Sequence, residues 1–244
     1  MRLELQDGVS LHYESAGDPQ SAAVLLWHGA RCTLRQWDLI IERIADRFHV
    51  VRFDIRGAGR SGPGRDEDYN FSTYATDARQ LLDHLNIDQC HVWSMAWGSR
   101  AALYFSATNP DRVKSASLFD LSIGTADVAA QVEGTKQARR KQRAAGVVLP
   151  ALPAGWNEHL DENALAKSLA AAGKVNLAAY AKQLNMPVLV ATGDHDPNLA
   201  SSREAVALMP QSTLVELPDV GHGSVLMRPD LCTDVFLEFV LNHV

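Results

Sequence analysis

The sequence predicts an α/β protein: a mostly parallel sheet with helices on both faces and a helical cap inserted late in the chain. Three observations predict it. Short apolar runs alternate with helix-period stretches over the first 120 residues; the alternation stops for about 60 residues and then resumes. Of the 244 residues, 46% are apolar and 21% charged, enough to fill one core and too apolar for a disordered or collagen-like chain.

The elements follow in order. Leu3 to Gln6 and Val9 to Ser15 read as short strands joined at Asp7-Gly8, a strong hairpin signal. Ala22 to Trp27 is a buried strand, and Leu34 to Phe48 repeats its apolar residues at helical spacing. His49 to Ile55 is the next strand, followed by a turn rich in Gly and Ser. Phe71 to Leu85 is a helix with Ser72 or Thr73 as its N-cap. Cys90 to Trp93 is a strand, Trp97 to Thr108 a helix and Lys114 to Asp120 a strand, a pitch that implies right-handed crossovers. From Ser122 to Asn185 there are only Ala-rich helical stretches, split by Pro150, Pro153 and Gly155. Met186 to Ala191 (strand), Ser201 to Leu208 (helix), Ser212 to Leu217 (strand) and a helix from Leu231 complete the pattern. The expected organisation is a core of residues 1–121 and 186–244, with residues 122–185 a cap inserted into it and not an independent domain. Open α/β sheets bind ligands outside their carboxyl edge, where such a cap sits.

Charge and cysteines narrow the partners. A net charge of −6 and a pI near 5.8 argue against nucleic acid or an anionic membrane, since both demand clustered Lys and Arg. The one basic cluster, Lys136 to Arg143, reads as the wet face of a helix. Met1-Arg2-Leu3-Glu4 lacks the apolar stretch of a signal peptide, and no run nears the ~20 residues of a membrane span. Cys32, Cys90 and Cys232 are widely spaced and odd in number, as reduced thiols of a cytoplasmic protein would be.

Four signals lie just after strands, where such sheets place chemistry. They are His28-Gly29-Ala30, the turn Asp54 to Ser61, the corner Trp93-Ser94-Met95-Ala96-Trp97-Gly98-Ser99, and the late pair Gly193-Asp194-His195-Asp196 and Gly221-His222-Gly223. The turn at Gly57 and Gly59 is no phosphate cradle, for it lacks the Lys of a P-loop. Adjacent residues on extended chain point to opposite sides, so Asp194, His195 and Asp196 do not share one metal ion.

Together with Asn109-Pro110-Asp111-Arg112-Val113, these motifs make the chain resemble the α/β-hydrolase family from about residue 8 to the C-terminus. The resemblance implies a nucleophile, an acid and a base in that chain order, with Asp196 as acid and His222 as base, 26 residues apart. It also implies an oxyanion hole from the backbone N–H groups of Ala30 and Trp97. Asp194 competes with Asp196, which better fits the family's Gly-x-x-Asp.

At the nucleophile the sequence departs from the family. The elbow wants small residues on either side of the nucleophile, because strand and helix nearly touch there. With Ser94 as nucleophile the flanking positions are Val92 and Ala96; with Ala96 they are Ser94 and Gly98. The crowding favours Ala96, and Pro110 lies 14 residues past it, as in similar sequences. Three readings of Ala96 are open: a serine replaced to trap substrate; a native alanine beside a working His–Asp dyad; or a binding module without turnover.

The expected activity is hydrolysis of a small or medium carbonyl compound, an ester or a C–C bond beside a carbonyl, with neither metal nor organic cofactor. The alternatives are a cofactor-free lyase or oxygenase using His222 as base, and a ligand-binding receptor. Arg31, Cys32, Trp156 and His159 are the candidate pocket residues, with Arg31 available to an anionic substrate group. His28, Asp54 and Arg56 read as loop anchors.

Overall fold

The computed structural model describes residues 1–243. Eight strands form one sheet in the order β1-β2-β4-β3-β5-β6-β7-β8, where β1 is Arg2–Glu4, β2 Ser10–Ala16, β3 Ala23–Trp27, β4 His49–Phe53, β5 Cys90–Met95, β6 Val113–Phe119, β7 Val188–Gly193 and β8 Ser212–Leu217. The pairings β1–β2 and β2–β4 are antiparallel and all others parallel. Every residue of β3, β4, β5 and β7 is buried, as strands covered by helices on both faces must be. No described helix is long and apolar enough to cross a membrane.

Alternate side chains of the strands feed two cores. Leu25, Trp27 and Val92 point to one face, with Phe71, Tyr74 and Phe105. Val24, Leu26 and Trp93 point to the other, where the Trp93 ring stacks on Phe236 with centroids 4.1 Å apart. The helices are α1 (Asp38–Ile44), α2 (Phe71–His84), α3 (Trp97–Thr108), α4 (Val128–Ala144), α5 (Glu162–Ala170), α6 (Leu177–Ala181), α7 (Asn198–Leu208), α8 (Ser224–Met227) and α9 (Pro229–Val240).

Two expectations need correction. The helix expected over Leu34 to Phe48 is a 3-10 turn, Leu34–Trp37, followed by the shorter α1. The side chain of Thr33 caps that turn, and the Leu34 N–H is drawn to the Asp54 carboxylate at 2.7 Å, which tightens it. The N-cap of α2 is Asn70, whose side chain accepts from the Thr73 N–H at 2.9 Å, so Ser72 and Thr73 lie inside the helix.

Between β6 and β7 the described chain holds helices and loops only, tied down at two places. Helix α4 lies on the loops after β7 and β8. Gln131 reaches Asn198, Thr135 donates to the His222 carbonyl, and Gln142 donates to that of Asp219. A Cβ on Gly134 would overlap the His195 carbonyl, so only glycine lets α4 come this close. Helix α5 and its approach lie over the other rim, where Ser168 donates to the Arg56 carbonyl and the Leu160 N–H to that of Gly59.

Candidate active site

The corner after β5 sets the geometry. Ala96 sits at φ 56°, ψ −115°, a left-handed conformation that alanine rarely adopts, and α3 begins at the next residue. Its N–H donates to the Phe119 carbonyl at 2.8 Å, which pins the turn to β6. A Cβ on Gly98 would overlap the His28 carbonyl, so α3 starts hard against the loop after β3. The alternative register is corrected by this geometry. Ser94 is fully buried within β5, its hydroxyl 3.1 Å from the Ser117 carbonyl and 3.0 Å from Ser99 Oγ. The side chain that lines the cavity with His222 is the methyl group of Ala96.

Opposite stand the loops after β7 and β8. His222 Nδ1 is 2.9 Å from Asp196 Oδ2, and Asp196 is buried. Asp196 Oδ1 accepts from the Asn198 N–H. With the proton on Nδ1 facing the carboxylate, the lone pair of neutral His222 is on Nε2. Burial alone pushes the His222 pKa down, but the bond to Asp196 and the charges of Asp120 and Asp196 outweigh it and raise it above its usual value. Asp194 instead meets His195 and the Val220 N–H, away from His222.

Sequence reasoning missed Asp120. It follows β6 directly, at φ 51°, with no exposed surface. Its Oδ2 accepts from the N–H groups of Gly223 and Ser224, at 2.9 and 2.8 Å, and so holds the loop that carries His222. Among the described residues its Oδ1 has no hydrogen-bond partner. Burial, with the charge of Asp196 adding to it, pushes the Asp120 carboxyl up to about 7.

The main chain supplies the remaining polarity. Among the described residues neither the Ala30 nor the Trp97 N–H donates to any acceptor. His28 braces the first of these: its Nε2 accepts from the Ile55 N–H, so Nδ1 carries the proton and donates to the Gly29 carbonyl. Gln36 accepts from the Gly29 N–H in the same loop. Asp54 and Arg56 anchor turns, Asp54 accepting from the Leu34 and Arg60 N–H groups and Arg56 paired with the buried Asp77. A second cavity, of about 220 Å³, borders the His12–Asp54 pair, but Asp54 is spent on those turn contacts.

Ala30, Ala96 and His222 share a cavity of about 250 Å³, walled by Cys32, Met95, Leu152, Trp156, Leu226 and Met227, with Arg139 at its edge. Cys32 is buried and its thiol is pushed up to about 12 by desolvation, so it stays protonated and is no substitute nucleophile. Arg31 and His159 are corrected. The Arg31 guanidinium pairs with Glu162 at 3.1 Å on the surface, and the His159 ring bridges the Gly59 N–H and the Arg31 carbonyl, fastening the segment between β6 and β7. Neither borders the cavity.

Residues 22–132 match the family model of the α/β hydrolase fold. The chain has that fold. It is 32% identical over 118 residues to a soluble epoxide hydrolase of Corynebacterium sp. (strain C12), a stretch covering 48% of this chain and 40% of that protein. It is 34% identical over 116 residues to the rhodomycin D methylesterase DauP of Streptomyces sp. (strain C5), covering 46% and 39%. The chain thus spans less than half the length of these curated relatives. Its fold superposes on the enol-lactonase of Burkholderia xenovorans LB400 with a TM-score of 0.83, at 21% identity over 99% of this chain and 100% of that one.

Proposed function

We propose that the chain is a hydrolase of small carbonyl compounds that works by general-base catalysis from His222 and forms no acyl-enzyme. One observation carries this reading: an imidazole oriented by a buried carboxylate shares a cavity with Ala30, whose amide has no acceptor among the described residues, and with a methyl group where the family's nucleophile stands. Asp196 keeps the proton on Nδ1, leaving Nε2 to act. Nε2 takes a proton from water as the water oxygen bonds to the carbonyl carbon. The N–H groups of Ala30 and Trp97 stabilise the oxyanion. Collapse breaks the bond to the leaving group, which receives the proton from the imidazolium.

The mostly apolar wall favours a second reading on the same residues. In a dry cavity Nε2 removes a proton from carbon beside the carbonyl, and the amides hold the enolate. The test is to incubate the protein with a panel of small esters, lactones and 1,3-dicarbonyl compounds in D₂O and follow them by NMR. Product formation that is lost in His222→Ala supports hydrolysis, and deuterium uptake without cleavage supports the second reading. Turnover unaffected by His222→Ala, or none with any substrate, rejects both and leaves a binding protein.

A further inference from the structure

We propose that Arg139 is a carboxylate subsite at the mouth of the cavity, so that the compound handled here carries an anionic group on a small apolar body. The inference rests on the reading of the cavity given above and names its substrate class. Position is the first support. Helix α4 is locked in place by Gly134 against His195, by Thr135 on the His222 carbonyl at 3.1 Å, and by the fully buried Ala138. Arg139 follows Thr135 by four residues and so shares its face of the helix. That face looks onto the loop carrying His222.

Composition is the second support. Apart from His222, Arg139 is the one charged side chain among the described residues that border the cavity. A lone cation beside thioether, indole and aliphatic groups is complementary to an apolar molecule with one negative end. Arginine presents a planar fork that matches a carboxylate with two parallel bonds. Held there, the anionic end stays at the rim while the carbonyl end enters toward Ala30, Trp97 and His222. The volume of about 250 Å³ limits the body to a small molecule.

The third support is the field around the mouth. Residues 136–143 contain five cations (Lys136, Arg139, Arg140, Lys141 and Arg143) and no acid, in a chain of net charge −6. Lys141 meets Asp219 and Lys136 meets Glu133, but among the described residues Arg139, Arg140 and Arg143 have no carboxylate within 4.0 Å. Arg139 borders the cavity and the other four lie within about one turn of it on α4, so the helix around it is more positive than the chain as a whole and favours the approach of anions.

Calorimetric titration at low salt with a short series of apolar acids, butyrate to hexanoate and phenylacetate, each paired with its neutral primary amide, tests the proposal. We expect at least one acid to bind roughly fivefold more tightly than its amide, the scale of a solvent-exposed ion pair. Arg139→Gln should abolish the preference, Arg139→Lys should keep part of it, and the melting temperature should stay that of the parent. His222→Ala should retain the preference, so the subsite stands or falls apart from the proposed base. Equal binding of acid and amide, no binding of any acid at millimolar concentration, or a preference that survives Arg139→Gln overturns it. So does a preference lost only in His222→Ala, which would assign the anion to the imidazolium. Association with phosphatidylserine vesicles in place of any acid preference would give the cluster to a membrane surface and overturn it as well.

Discussion

The corner after β5 and the loop after β8 meet at one cavity, with the loop after β7 behind the second, and they carry opposite halves of the proposed catalytic apparatus. The corner has its main-chain design whole: Ala96 at φ 56°, Gly98 against the His28 carbonyl, and two amides without acceptors among the described residues. It ends in a methyl group. The loops carry the side-chain chemistry, an imidazole on a buried carboxylate, with a second buried carboxylate fastening the loop. The difference teaches that the two halves are separable. The backbone donors proposed as an oxyanion hole do not depend on the side chain at residue 96, because they are fixed by a strand end and a helix start. A positive φ at alanine costs of order 1–3 kcal/mol, so the corner holds a strained shape without its usual hydroxyl.

The largest expected effect comes from restoring that hydroxyl. Removing a triad serine costs on the order of 10⁶ in rate, so Ala96→Ser should raise p-nitrophenyl acetate hydrolysis by at least about 10³-fold. Mass spectrometry should find a fluorophosphonate on residue 96 in this variant and not in its parent. A folded Ala96→Ser that is neither faster nor labelled would mean that corner and loops are not aligned. The new activity then reports on the loops. Adding Asp196→Asn should cut it by roughly 10²–10⁴, because the amide no longer fixes the proton on Nδ1. An unchanged kcat/KM would remove Asp196 from its role. A third change breaks the corner without touching the loops. Gly98→Ala forces a methyl group into the His28 carbonyl and should cost about 1–3 kcal/mol in urea unfolding, the scale of overpacking.

The sheet was legible because its strands are continuous apolar runs and its helices are periodic, signals that burial on two faces and on one face produce directly. Residues 96, 196 and 222 were legible because each follows a strand end in a short motif, and the structure brings them to one region. Asp120 was not, since it closes an apolar strand and its partners, Gly223 and Ser224, are more than 100 residues away. Arg139 lies on the wet face of α4 as expected, but its place at the cavity depends on how Gly134 and Thr135 dock, a contact that periodicity does not encode. Arg31 and His159 failed for the same reason in reverse. Both are near the cavity in sequence terms, yet their polar atoms are used to fasten the segment between β6 and β7.

The smallest expected effect is the one that separates fastening from chemistry within the loops. Asp120→Asn keeps the shape of the side chain and an oxygen for the Gly223 and Ser224 N–H groups, so the loop stays held. It removes a negative charge that helps to raise the His222 pKa. The imidazole should therefore titrate at lower pH, visible in its ring-proton shifts, and the rising limb of any His222-dependent rate should move the same way. Stability follows with a definite sign. Asp120 binds its proton more tightly folded, up to about 7, than unfolded, where its value is 3.8. Its contribution is then full below 3.8 and is lost as pH rises through about 7. His222, also raised, contributes most below 6.5 and loses that contribution as pH rises through its folded value. The parent should therefore lose thermal stability between pH 5 and pH 8 more steeply than Asp120→Asn, which lacks the first term and has less of the second. Parallel melting curves across that range would show that Asp120 is ionised throughout and acts on the loop by hydrogen bonding alone.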